Sequence, residues 1–181
     1  MSASLREHIE KVVPLTDEEY AFVISHFKGR KYKKHQFLIQ QGDLVPYNYF
    51  VLKGLLKLVF TDDTEKQHII SFAMEDWWES DYYAFNMKTN ATMSLECLED
   101  TEVLCLSLED SKKLCDGLQK MERFFWKKQN LATSVLKGGS SLHLPLMSRS
   151  VTNNCSNNIL PLCSAYPKAS SLPTWAFRAK L

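Results

Sequence analysis

The sequence predicts a mainly β domain flanked by helices, and three observations carry that class. From Gln36 to about Leu108 the chain runs as short apolar and polar alternations broken by turn residues. A capped helical pattern stands before that run. After it, the apolar spacing lengthens from the strand period to the helix period. At 181 residues with 45% hydrophobic residues, the chain can bury one good core and a small second one.

In "PLTDEEYAFVISHF", Thr16 and Glu19 form a capping box, and Tyr20, Phe22, Val23, Ile24 and Phe27 mark a short amphipathic helix ending near Gly29. The basic run of "KGRKYKKHQFLIQQGD" has the charge to meet phosphates, but it feeds straight into an alternating strand. It therefore reads as a solvated edge that discourages strand pairing. "QFLIQQ", "YFVLKG", "LLKLVFT", "QHIISFAM", "ATMSLECL" and "TEVLCLS" are rich in β-branched or aromatic residues, with "GD", "KG", "TDD" and "LED" as punctuation. Such spacing suggests a sandwich, jelly roll or barrel rather than a parallel sheet. Gly42 and Gly54 fall where the chain must turn. Ser107 then caps "LEDSKKLCDGL", and "LQKMERFFWKKQNLATSVL" places Met121, Phe124, Phe125, Leu131 and Val135 on one helical stripe. That stripe has two uses, packing on the β domain or self-association.

The formal net charge of +1 supplies no global field toward nucleic acid or anionic membrane. No apolar run is long enough to span a membrane, and "MSASLREHIEKVV" carries charges where a signal peptide needs its apolar region, so a cytoplasmic protein is expected. The five cysteines show no CxxC or CxxH spacing, which argues against a disulfide framework, a zinc site or an iron–sulfur cluster. Cys97 and Cys105, in strand-like segments, read as small apolar fillers. His35 and His68 stand alone, without the clustered His and Glu that a cupin-like metalloenzyme needs, and His8 alone makes no haem site. No nucleophile elbow, P-loop or paired-carboxylate motif appears, so no enzyme, metal or cofactor is expected.

The stretch "QFLIQQGDLVPYNYFVLKGLLKLVF" resembles the opening of the cyclic-nucleotide-binding domain of the Crp/Fnr family of bacterial transcription regulators. The likeness rests on Gly42-Asp43, a six-residue gap, Phe50-Val51, Gly54 and the strand Leu56-Lys57-Leu58. It continues through "FAMEDWW" and "LECLEDTEVLCLS" and covers about Leu15 to Leu136. The resemblance implies an antiparallel β-roll (a jelly-roll or double-stranded β-helix) with an N-terminal helix. It also implies a long dimerisation helix at about 118–136 that makes a homodimer, and a sensing role for a small-molecule effector. The sensor would then span residues 1–136, with 137–181 as a non-native, disordered tail where the family has its winged helix-turn-helix.

Cyclic-AMP binders of the family offer a Gly-Glu pair to the ribose and an Arg-Ser/Thr pair to the cyclic phosphate. In the corresponding "WWESDYYAFNMKTNATMSLECLED", Asp81 after Ser80 takes the acidic position and Thr92 the hydroxyl position. The arginine position falls on Ala91, and Lys88 is a poor replacement for a guanidinium fork. The expectation is a degenerate nucleotide pocket or one fitted to another ligand. Trp77, Trp78, Tyr82 and Tyr83 are candidates for an apolar lining.

Family members continue into a winged helix-turn-helix that reads DNA. Here, beyond about Lys137, neither helix nor strand period is legible and Ser, Asn and Pro are frequent. Shifting the reading frame by one base, with free synonymous third bases, respells "CSAYPKASSLPTWAFRAKL" as a string containing "ASYLGIQSETL", like the family's helix-turn-helix. One position is forced: the last base of the Trp175 codon and the first two of Ala176 spell glycine, where the turn needs one. A frame change near residues 131 to 140 is therefore expected to have replaced the DNA-binding element, which belongs to the family's intact form. A stand-alone small-molecule or protein-binding β-roll is the alternative.

Overall fold

A computed structural model describes residues 3–137, and side chains as far as residue 128. Helix α1 (Ala3–Glu10) and helix α2 (Asp17–Ser25) lead in. The capping box forms as the sequence predicts: the Thr16 hydroxyl accepts the Glu19 N–H at 3.2 Å and the Glu19 carboxylate accepts the Thr16 N–H at 2.8 Å. The helix stops at Ser25 rather than near Gly29, because Gly29 belongs to strand β1 (Lys28–Tyr32). The basic run is thus itself a strand, at the edge of its sheet. Two of its lysines pair with carboxylates, Lys31 with Glu102 at 2.6 Å and Lys33 with Asp100 at 2.7 Å.

Strands β2 (Phe37–Ile39), β3 (Tyr47–Lys53), β4 (Leu56–Thr61) and β5 (Gln67–Ala73) follow. A two-residue β6 (Trp78–Glu79), helix α3 (Tyr82–Met87), β7 (Ser94–Cys97) and β8 (Thr101–Ser107) complete the β region. They form two four-stranded antiparallel sheets, ordered β1-β8-β3-β6 and β2-β7-β4-β5, which are not closed into a barrel. Helix α4 (Leu108–Gly117) starts on the predicted cap, the Ser107 hydroxyl accepting the Asp110 N–H at 3.0 Å, and α5 (Gln119–Lys137) follows.

Strand alternation divides the apolar residues between two cores. Tyr49 and Val51 of β3 and Val103 and Cys105 of β8 face the space between the sheets, where they meet Leu56, Leu58, Leu95 and Cys97. Phe50 of β3 and Leu104 and Leu106 of β8 face the helices, where they meet Leu5, Ile9, Val23, Leu114, Met121 and Phe124. Strands buried on both faces read as near-continuous apolar runs, as "YFVLKG" and "TEVLCLS" do. Cys97 and Cys105 are free and buried fillers, and burial pushes the Cys105 thiol up to about 11. Gly54 has φ 109°, and a Cβ there would lie 2.8 Å from the Thr101 Cα, so the β3–β4 turn admits no side chain.

Helix α5 is anchored to the domain from which it emerges. Met121 and Phe124 are fully buried in the helix-facing core, and Lys120 binds the capping carboxylate of Glu19 at 2.8 Å. These two stripe residues therefore pack within the protomer and are not free for a dimer seam. Phe125 is half-buried, its ring 6.3 Å from Trp78 and 5.3 Å from Phe124. Leu131 and Val135 lie on α5, and their side chains are outside the described residues. The expected tail lies beyond them as well. No helix of the described residues is long and apolar enough to cross a membrane.

Candidate functional site

The segment from β6 to β7 brings together Ser80, Asp81, Tyr82 and Thr92. Asp81 caps α3, its Oδ1 accepting the Ala84 N–H at 3.1 Å. Its Oδ2 accepts the Thr92 N–H at 2.8 Å and the Thr92 hydroxyl at 2.9 Å. With the residue at 0% exposure, those donors replace the water that a carboxylate would otherwise require. The residues expected at the acidic and hydroxyl positions of a nucleotide pocket therefore bind each other.

Ser80 is also fully buried, and its hydroxyl donates to the Tyr47 carbonyl at 3.1 Å. Next to it Glu79, which sequence reasoning missed, is buried at 5% exposure. Its carboxylate accepts the Ser71 hydroxyl at 2.6 Å and the Ser80 N–H at 3.1 Å. Its neighbour Tyr82 is half-buried; burial, with a smaller contribution from Glu79, pushes the phenol well above its ordinary range.

Two turn features hold the far side of the segment. Lys88 ends α3 in the left-handed conformation at φ 54°, and its side chain is exposed. Ala91, at the arginine position, is buried at 4% exposure, its N–H donating to the Asp43 carbonyl at 2.7 Å and its carbonyl accepting the Gly42 N–H at 2.8 Å. Gly42 takes φ 92°, which makes the "GD" pair the brace of the site as well as a turn.

The aromatic lining does not assemble. Strand β6 pairs Trp78 with Phe50 and Glu79 with Tyr49, so Trp78 turns to the helices and Glu79 to the sheets. The Trp78 ring lies 5.2 Å from Phe50 and 6.0 Å from Phe27, away from Asp81's side of the strand. Trp77 and Tyr83 are 52% and 38% exposed. The histidines serve local structure: His68 meets Asp62 at 2.8 Å, and His35 meets Glu96 at 3.3 Å. Among the described residues no group of His, Cys, Asp and Glu is placed to hold a metal.

Residues 29–117, from β1 through α4 and including the whole Asp81–Thr92 segment, match the family described as Cyclic nucleotide-binding domain. The match covers just under half of the chain. The family is one of binding domains, not of enzymes.

Solved structures agree on the fold. The catabolite activator protein of Thermus thermophilus superposes with a TM-score of 0.59 at 23% identity, covering 68% of this chain and 57% of that one. The chain thus spans little more than half of that relative's length. The sensor domain of the transcriptional regulator DNR from Pseudomonas aeruginosa gives 0.60 at 12% identity, covering 78% of this chain and 94% of that one. A cyclic nucleotide-binding domain from Methylobacillus flagellatus gives 0.60 at 12%, covering 79% and 86%. No curated protein sequence matches the chain. Helices α1, α2 and α5 lie outside the matched residues and supply the second core.

Proposed function

We propose that the chain is the effector-sensing, dimerising module of a Crp/Fnr-type transcription regulator, working in the cytoplasm, and that it does not by itself bind specific DNA. The observation that carries this reading is α5. It is rooted in the binding domain through Met121 and Phe124, both fully buried. Its later stripe residues, Leu131 and Val135, fall on the helix face of Phe124 and would carry that stripe into a seam between two copies.

A route from site to seam supports the same reading. Ser80 and Asp81 continue directly from β6, whose Trp78 ring contacts Phe125 of α5. A ligand that shifts the β6–α3 segment would move Trp78 against α5 and bias the arrangement of two helices in a dimer. Loss of DNA reading is proposed from the tail sequence, in which no recognition helix is legible.

Sedimentation of the protein and of a Leu131→Glu variant tests the reading. The protein should sediment as a dimer and the variant as a folded monomer, with the circular dichroism spectrum of the parent and a melting temperature that no longer depends on concentration. A monomeric parent protein would sink the dimerising role. It would favour the second reading, a stand-alone small-molecule or protein-binding roll with a degenerate nucleotide pocket, to which the Asp81–Thr92 contact also points.

A further inference from the structure

Strand β1 is the outer strand of its sheet. The backbone of Lys28–Tyr32 pairs with β8 on one side and, among the described residues, with nothing on the other. Its residues from Lys28 to Lys31 are all exposed. The antiparallel register sorts their charges onto two faces, because residues directly opposite one another share a face. Lys31 lies opposite Glu102 and binds it at 2.6 Å, and Lys33, just past the strand, binds Asp100 at 2.7 Å, so these two charges are neutralised within the chain. Lys28 and Arg30 lie on the other face, opposite Cys105 and Val103, and among the described residues neither pairs with a carboxylate. Arg30 is held in place all the same. Its guanidinium lies 4.9 Å over the Tyr47 ring, with Nη2 3.4 Å from the Tyr47 hydroxyl. A guanidinium fixed on an aromatic face keeps donors free for a carboxylate and loses less freedom when one binds.

We infer that β1 is a docking edge for an extended acidic segment of a partner protein, which adds as a further strand and sets carboxylates at alternate positions against Lys28 and Arg30. The two cations stand two residues apart on one face, about 7 Å along the strand, and alternate residues of an added strand repeat at that same distance. Its backbone takes the open N–H and C=O groups of the edge, and its side chains supply the selection. A second copy of this edge is the wrong occupant, since it would set Lys28 and Arg30 against like charges. A nucleic acid fits no better: it lacks the backbone groups that continue a ladder, and Glu102 and Asp100 already neutralise Lys31 and Lys33. Strands β1 and β6 are opposite edges of the sheet, so this docking role stands whether or not α5 dimerises or the β6–β7 segment binds an effector.

Fluorescence anisotropy on the full chain tests the docking edge with a labelled nine-residue peptide in which glutamate and threonine alternate. A control peptide has the same composition with its glutamates in one block. The alternating peptide should bind at least about five-fold more tightly than the block peptide, and its binding should slow hydrogen exchange of the β1 amides. Joint Lys28→Glu and Arg30→Glu substitution should weaken it at least about ten-fold, while Lys31→Gln, on the neutralised face, should change it by less than about two-fold. Equal binding of the two peptides would overturn the inference, because charge without strand register would then suffice. The absence of saturable binding would overturn it as well, and so would an affinity indifferent to the double reversal. Tighter binding of a single-stranded oligonucleotide of equal charge would give the edge to nucleic acid, and a dimer that the double variant alone loses would give it to a second copy; either result overturns the proposal. If the double variant does not fold, the two peptides and the exchange of the β1 amides on the parent protein still decide.

Discussion

Strands β3 and β8 send alternate side chains into two cores, and those cores differ in how they treat polar atoms. Between the sheets, the Tyr49 hydroxyl donates to the Leu38 carbonyl at 3.0 Å, and the other fillers are aliphatic, aromatic or thiol. Under the helices, His8 Nε2 and Trp78 Nε1 are buried without a hydrogen-bond partner. His8 stands edge-on to Phe50 at 5.0 Å and to Phe124 at 6.0 Å. A buried polar atom left unsatisfied lowers the stability of the surface that buries it. The helix-facing core, with α1 and α5, is therefore expected to yield before the inter-sheet core does.

The largest expected effect tests that order directly. Phe124→Ala removes a fully buried ring from the helix-facing core and should cost about 3–5 kcal/mol in denaturant unfolding. Hydrogen exchange sharpens the comparison: amides of α1 and α5 should lose protection first, while those of β3 and β8 keep theirs. Equal loss in both regions would show that the two cores unfold as one.

A second, smaller effect uses pH. Burial, helped by the Lys128 and Lys11 charges and opposed by Asp76, pulls the His8 imidazole down to about 4 from its ordinary 6.5. In the window between those values the unfolded chain binds more protons than the folded one. The contribution of His8 is therefore fully present above pH 6.5 and is lost as pH falls toward 4. The effect is on the order of 2 kcal/mol. A His8→Phe variant should unfold with a flatter dependence on pH between about 7 and 4, the difference from the parent isolating this residue among the carboxylates that titrate in the same range.

Much of this arrangement was legible in the sequence, for physical reasons that also explain what was not. Strands β3, β4 and β8 announce themselves because each has several β-branched or aromatic residues. Strand β1 does not, since an edge strand with four exposed residues is free to be basic. Strand β6 is too short to show alternation, so nothing in "WWES" tells that Trp78 turns to the helices and Glu79 to the sheets. Asp81 and Thr92 were each identifiable from the resemblance. Their mutual bond was not, because it joins residues 11 apart across a helix and a turn. The stripe on α5 showed which residues are apolar, but only the packing shows that Met121 and Phe124 are spent within the protomer.

The smallest expected effect tests the other side of the comparison. Tyr49 is 1% exposed, and its hydroxyl reaches across the sandwich from β3 to the Leu38 carbonyl on β2. Burial, the largest cause, raises its phenol well above the ordinary range, so at neutral pH the group is protonated and donates. Tyr49→Phe keeps the ring and its packing and deletes one hydrogen bond, leaving the Leu38 carbonyl without that donor. The cost should be about 1 kcal/mol, read as a lower urea midpoint at an unchanged slope. An unchanged midpoint would mean that the sheet core gains nothing from pairing its one fully buried phenol, and the contrast with the unsatisfied nitrogens under the helices would then lose its energetic meaning.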